Sequence, residues 1–174
     1  MKHLTLKSAA VCCLLYLMTT ATSCPYQEPE PQSMETVLTG LQLTSYNRER
    51  EGLIPVTDGR CPKEFYTLGI TPLVLTDNHR YDFYTLLHPI TAVRIVAASD
   101  FDADHPAGSN ITRFFYTEGS SRNGLATPID TINGTRYLLQ LTKAPAAGNY
   151  RFRVEFETDN NEVVTADTEE ITLY

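Results

Sequence analysis

The chain has 174 residues, with 14 Lys and Arg against 21 Asp and Glu, four Cys, no Trp, 42% hydrophobic and 20% charged content. That apolar share supplies a core for one globular domain and excludes wholesale disorder. A formal charge of -7 excludes a nucleic-acid partner, because no basic stripe is available to neutralise phosphates.

Residues 1–23 read as an export signal. Lys2 and Lys7 precede an apolar run from Ala9 to Met18, and a small polar stretch runs from Thr19 to Ser23. The run falls short of the roughly 20 apolar residues that a bilayer-spanning helix needs. Ala21-Thr22-Ser23-Cys24 then resembles the lipobox of bacterial lipoproteins, with Ala21 where Leu is commonest, as in the relaxed versions of Bacteroidetes. That resemblance implies a diacylglycerol on the Cys24 sulfur and an outer-membrane protein anchored by lipid, on the periplasmic face or the cell surface. The alternative is a cleaved secretory signal that leaves Cys24 as an ordinary thiol, free to pair with Cys61. Cys12 and Cys13 depart with the signal, so acylation of Cys24 would leave Cys61 as the one thiol, expected to be a buried structural residue. Removal of residues 1–23 leaves 12 basic residues against 21 acidic ones, a charge of -9. An anionic domain is repelled by anionic lipid, so the membrane is reached through acyl chains and not through a basic patch.

Residues 24–36 form a tether in which Pro25 to Gln32, PYQEPEPQ, carries three prolines and two glutamates and favours an extended, solvated chain. Acids soon after the lipidated cysteine also resemble the surface-export signals of Bacteroidetes lipoproteins. From Val37 to Tyr174 the pattern changes to alternation. Strands are expected over Leu38 to Tyr46, Glu64 to Leu68, Tyr81 to Leu87, Ala92 to Ala98, Ile111 to Tyr116 and Arg136 to Thr142, with Arg113 to Glu118 as an alternative helical turn. The clearest run is Tyr150 to Glu157, YRFRVEFE, which places Tyr150, Phe152, Val154 and Phe156 on one face and Arg151, Arg153, Glu155 and Glu157 on the other. Asp159-Asn160-Asn161 supplies a turn, and Glu162 to Tyr174 returns as the second strand of a hairpin, with Val163, Ile171 and Leu173 apolar. Short β-rich runs without helical periodicity point to a sandwich or barrel.

Gly148-Asn149-Tyr150, ahead of the penultimate strand, resembles the tyrosine corner of immunoglobulin-like domains. The fold expected is therefore all-β, an immunoglobulin-like antiparallel β-sandwich. Together with the lipobox and the run DFDADHPAGSNITRFF at Asp100 to Phe115, the chain resembles an uncharacterised family of small Bacteroidetes lipoproteins with an immunoglobulin-like domain. The resemblance implies an address and a fold, and no substrate.

The sharpest chemical feature is Asp100-Phe101-Asp102-Ala103-Asp104-His105. On an extended backbone, Asp100, Asp102 and Asp104 would point the same way as oxygen ligands for Ca²⁺, the one metal considered; the bland alternative is a wet acidic turn. An EF-hand is excluded, since it would need Gly where His105 stands and Glu where Ile111 stands. His79, His88 and His105 show no zinc spacing, and no cofactor motif appears. Within YDFY at Tyr81 to Tyr84, Tyr84 is the ring expected to face outward and offer a binding surface to a protein or glycan. Asp130-Thr131-Ile132 resembles the short Bacteroidetes O-glycosylation motif, with Thr131 as acceptor. These residues point to a non-catalytic binding or interaction module with an unidentified partner. The rivals are a structural component of a surface or fimbrial assembly, with Arg48 and Arg50 as a trypsin-like processing site, and a hydrolase whose catalytic residues are distant in sequence.

Overall fold

In a computed structural model, residues 32–50, 52–77, 81–117, 123–134 and 136–174 are described. The signal, Cys24, the tether up to Pro31 and His79 lie outside them. Thirteen strands follow in order: β1 Ser33–Thr36, β2 Leu38–Glu49, β3 Gly52–Pro55, β4 Arg60–Cys61, β5 Tyr66–Val74, β6 Phe83–Ala97, β7 Phe115–Thr117, β8 Ile129–Ile132, β9 Tyr137–Leu141, β10 Gly148–Tyr150, β11 Phe152–Thr158, β12 Val163–Asp167 and β13 Ile171–Leu173. Three-residue 3₁₀ turns at Lys63–Phe65 and Thr112–Phe114 precede β5 and β7. The fold is the all-β, immunoglobulin-like antiparallel β-sandwich expected, and among the described residues no helix is long and apolar enough to cross a membrane.

One sheet orders its strands β3-β2-β5-β9-β7, every pair antiparallel. The other is organised by the long β6. Its second half pairs antiparallel with β11, which pairs in turn with β12. Its first half pairs parallel with β1 and antiparallel with β8. Between the sheets lie Tyr66, Leu68, Ile70, Ile95, Phe115, Leu139, Phe152, Val154 and Phe156, all fully buried. Tyr66 and Phe115 both meet the Phe152 ring, with centroids 5.4 Å apart in each pair. Contacts of this kind add to the area each ring buries.

The C-terminal half keeps the expected alternation. Tyr150, Phe152, Val154 and Phe156 are buried, while Arg151 and Arg153 are exposed, and Asn161 takes the left-handed conformation (φ 64°) that closes the β11–β12 turn. A residue with a short polar side chain tolerates that backbone better than most. The return strand is interrupted, however. Its register shifts by one residue opposite Arg151, where Thr168 turns its Oγ1 to accept the Phe152 amide at 3.0 Å. Beyond this bulge β13 pairs with β10 on one side and with β4, in parallel, on the other. The Tyr150 hydroxyl donates to the Ala146 carbonyl at 2.7 Å, so the tyrosine corner is formed.

Four departures from the sequence reading have physical causes. Ser33–Thr36 belongs to the domain as β1 and not to the tether; in four residues with a single apolar side chain, Met34, no period can be read. Tyr81 to Leu87 and Ala92 to Ala98 are one strand, because Pro89 sits at a register irregularity between Thr85 and Ile90 in the pairing with β8 and bends β6 without ending it. Glu64 and Phe65 form a 3₁₀ turn ahead of β5, and Thr112 to Phe114 another where a strand or a later helical turn was expected. Val163 is 49% exposed, since its odd-numbered face of β12 shares the outer surface with Arg153.

Gly69 is required on the outer face of β5. A Cβ there would lie 2.6 Å from Tyr46 Cε2 and 2.9 Å from Arg136 Cδ, because the Tyr46 ring lies across this strand and Arg136 stacks on it with its guanidinium carbon 5.2 Å from the centroid. Arg136 also donates to the Tyr46 hydroxyl. Gly69→Ala is expected to lower unfolding stability by about 1–3 kcal/mol, the usual cost of overpacking, as read by chemical denaturation. Phe152→Ala should cost about 3–5 kcal/mol in the same assay, and Arg153→Ala, on the exposed face, should leave stability nearly unchanged.

Candidate functional site

The described side chains with the densest polar chemistry lie in the long connection from β6 to β7. The extended run expected to carry Asp100, Asp102 and Asp104 ends before Asp104. The chain reverses between Asp102 and His105, with the His105 amide donating to the Asp102 carbonyl at 3.1 Å and the Phe101 amide donating to the His105 carbonyl at 2.9 Å. Short Asp side chains favour such reversals by accepting from nearby amides: Asp102 Oδ1 accepts from the Asp104 amide at 3.0 Å, and Asp100 Oδ1 from the Ala107 amide at 2.8 Å. The loop then runs back along β6, with Gly108 at φ 89° donating to the Ala97 carbonyl and Ile111 donating to the Ile95 carbonyl.

Aromatic packing fixes this loop to the core. Phe101 is buried, stacks on Phe114 with centroids 5.4 Å apart and meets Tyr150 edge-on at 6.0 Å. The Phe114 ring is flanked by two cations, the Arg113 guanidinium at 4.8 Å and Lys143 Nζ at 4.6 Å. Both cations also serve the acid and the imidazole. Lys143 Nζ donates to Asp102 Oδ2 at 2.7 Å, His105 Nδ1 lies 2.5 Å from Asp102 Oδ1, and Arg113 donates to His105 Nε2 at 2.5 Å. Since a guanidinium only donates, Nε2 is the acceptor and the ring proton sits on Nδ1, facing the carboxylate. The Lys143 ammonium, followed by His105 and the Asp104 amide, holds the Asp102 carboxyl well below the usual carboxylate range.

Asp102 and His105 therefore have the relative placement of the acid and base of a hydrolytic triad, but the nitrogen that would take a proton from a nucleophile is turned to Arg113. The chemistry this arrangement performs is electrostatic locking of a loop. The Ca²⁺ site expected from Asp100, Asp102 and Asp104 is not assembled: the turn takes Asp104 out of the run, Asp100 and Asp102 direct oxygens to amides and to Lys143, and among the described residues no group of three His, Cys, Asp or Glu is placed to hold a metal. The missing signal was Lys143, 41 residues away in sequence, which occupies the charge that a cation was expected to fill.

The other expected site residues are scattered. Tyr84 is half-buried on β6 between Met34 of β1 and Ile132 of β8, with its ring edge-on to Tyr81 at 5.9 Å. Thr131 is exposed on β8 opposite Thr85. His88 pairs with Asp159 at 2.9 Å across the end of the β6–β11 ladder. Cys61 is a free thiol, fully buried; burial, aided by Asp58, pushes its pKa up to about 11, so it is neither exposed nor ionised. Sequence reasoning did not single out Phe65, which is 49% exposed in the first 3₁₀ turn and lines an open groove with Asn47, Arg48, Glu49, Arg50 and Pro62.

No protein-family profile matches the chain, and no curated protein matches it. Among solved structures, the C-terminal domain of the Streptococcus pyogenes antigen I/II-family protein AspA is similar at 12% identity, with a TM-score of 0.32 over 77% of this chain. The present chain spans 46% of that one.

Because its folded pKa is depressed, Asp102 contributes stability that is complete above the unfolded value of about 3.9 and is lost as pH falls through the folded value. Asp102→Asn should therefore flatten the fall in melting temperature below pH 4, measured by calorimetry across an acid series. With both Asp102 oxygens and one Asp100 oxygen already engaged, wild-type melting curves in excess Ca²⁺ and in chelator should coincide.

Proposed function

We propose that the protein is a cell-envelope lipoprotein of the Bacteroidetes type, acylated at Cys24, whose β-sandwich serves as a non-catalytic binding or interaction module on the outer membrane. The observation that carries this reading is the apolar run from Ala9 to Met18 ending in Ala21-Thr22-Ser23-Cys24, followed by the proline-rich tether. Its partner is a protein or a glycan. The sandwich supports the reading by locking its Asp102–His105 pair between Lys143 and Arg113, which leaves these groups a role in shaping a loop. Exposed Thr131 on β8 agrees with its proposed role as a glycan acceptor.

Mass spectrometry of membrane-extracted protein should find a diacylglyceryl group on Cys24, and Cys24→Ala should shift the protein from the membrane fraction to the soluble one. An unmodified thiol at Cys24 in membrane-extracted material would refute the assignment.

A further inference from the structure

We propose that the cleft beside the unpaired edge of β2 receives an extended segment of a partner protein that bears lysine or arginine and adds to the sheet as a strand. This deepens the reading of the domain as a binding module and rests on it, though not on acylation at Cys24.

β2 is twelve residues long, and β3 pairs with only its last four. The β2–β3 ladder ends where the Val56 amide donates to the Ser45 carbonyl at 2.9 Å. In an antiparallel ladder every second residue turns its amide and carbonyl to the same neighbour, so the odd-numbered residues here face the β3 side and the even-numbered ones face β5. The prolines agree with this parity. Pro55 lies opposite Tyr46 and Pro72 opposite Leu41, positions at which the ladder needs no amide. Leu43 and Leu41 therefore direct their backbone groups to the side that β3 has left, and among the described residues neither has a hydrogen bond there. β12 of the other sheet approaches β2 to within 8 Å but forms no ladder with it. Such an edge is what a strand from another chain pairs with.

What sets this edge apart from an ordinary outer strand is the cleft beside it, of about 380 Å³. It is lined by residues 43–45 of β2, by Val56, Thr57 and Gly59 where the chain leaves β3, and by residues 167–171, which join β12 to β13. Gly59, at φ 68°, carries the chain away from β2 toward β13, where its carbonyl accepts the Thr172 amide at 2.8 Å. No lysine, arginine or histidine lines the cleft, and three acids do. Asp167 is paired with Arg153, but exposed Glu169 has no partner among the described residues, and exposed Glu170 has only the uncharged Asn149 side-chain amide at 3.3 Å. Arg60, next to Gly59 in the chain, is turned to the Tyr174 ring. Among the described residues no three acids converge on a metal, so the unmatched charge suits a cationic side chain on a segment that also reaches the β2 edge. Pairing the same edges of two copies would instead set these acids against one another.

The probe is a short end-blocked peptide of alternating lysine and valine, added to the mature chain in nonionic detergent, with binding followed by calorimetry and amide exchange by NMR. Binding should slow exchange at the Leu41 and Leu43 amides severalfold and leave Gln42, already in the ladder with β5, unchanged. Glu169→Gln combined with Glu170→Gln should weaken binding severalfold and flatten its dependence on salt. Equal binding of a glutamate and valine peptide or of the N-methylated probe, binding that leaves Leu41 and Leu43 unprotected, or no binding at all overturns the strand addition and leaves the module reading to its own test at Cys24. Slowed exchange at the two amides that grows with protein concentration without peptide gives the edge to a second copy and overturns the assignment. Cleavage of the peptide overturns the non-catalytic reading itself.

Discussion

The pairing of β6 with β11 is the constraint on which the domain depends. Phe152, Val154 and Phe156 project from β11 into the space between the sheets, and their backbone is held in register by Ala97, Ile95 and Val93 of β6. Slipping that ladder by one residue would turn every one of these side chains to water and bring Arg153 and Glu155 inside. β6 in turn supplies the ladder on which β1 and β8 form, so the N-terminal strand and the strand carrying Thr131 depend on the same fifteen residues. The second sheet closes over this layer through Tyr66, Leu68 and Ile70, whose burial needs the β11 face already in place.

The long connection after β6 shows how an acidic segment is held by backbone amides and a lysine. Three aspartates within five residues would repel one another if held on one face. Reversing the chain at Ala103–Asp104 takes Asp104 out of that run, and the Asp104 and Ala107 amides donate to the Asp102 and Asp100 carboxylates. Lys143 arrives from the segment after β9 and completes the neutralisation, while its ammonium and the Arg113 guanidinium lie over the Phe114 ring. Phe101 and Phe114 connect this shell to Tyr150, so the tyrosine corner and the loop share one aromatic stack.

What could be read in advance follows from how far each signal reaches along the chain. YRFRVEFE displays its period within eight residues, and the face assignment followed from that alone. The tyrosine corner was legible because the bond from Tyr150 reaches back only four residues. β1, β3, β4 and β8 were not legible. Each has two to four residues, too few for a period, and all but β3, which folds back on β2, owe their extended form to a distant partner: β1 to Phe83–Leu86, β4 to Thr172 and Leu173. The acidic run misled for a related reason. Its composition was visible, but the turn depended on His105 and the neutralising cation on a residue far along the chain, so local spacing described a geometry that the backbone does not adopt. Tyr84, expected to face outward from the alternation of YDFY, is half-buried on the side of β6 that carries buried Leu86, opposite buried Ile132.

The buried thiol has a consequence for how this domain ages. Cys61 lies under Tyr46 and Pro62, its sulfur directed to their carbonyls at 3.8 and 3.4 Å, and its proton is retained well above neutral pH. Oxidants and alkylating agents react with thiolate, so in the closed domain Cys61 is inert even in an oxidising compartment. Strand β4 is only two residues long, held by β13. Separating that short strand from β13 would open the sheet beside the sulfur. Reagents thus reach the sulfur only when the sheet corner at β4 and β13 opens, so alkylation of Cys61 would count such openings one molecule at a time.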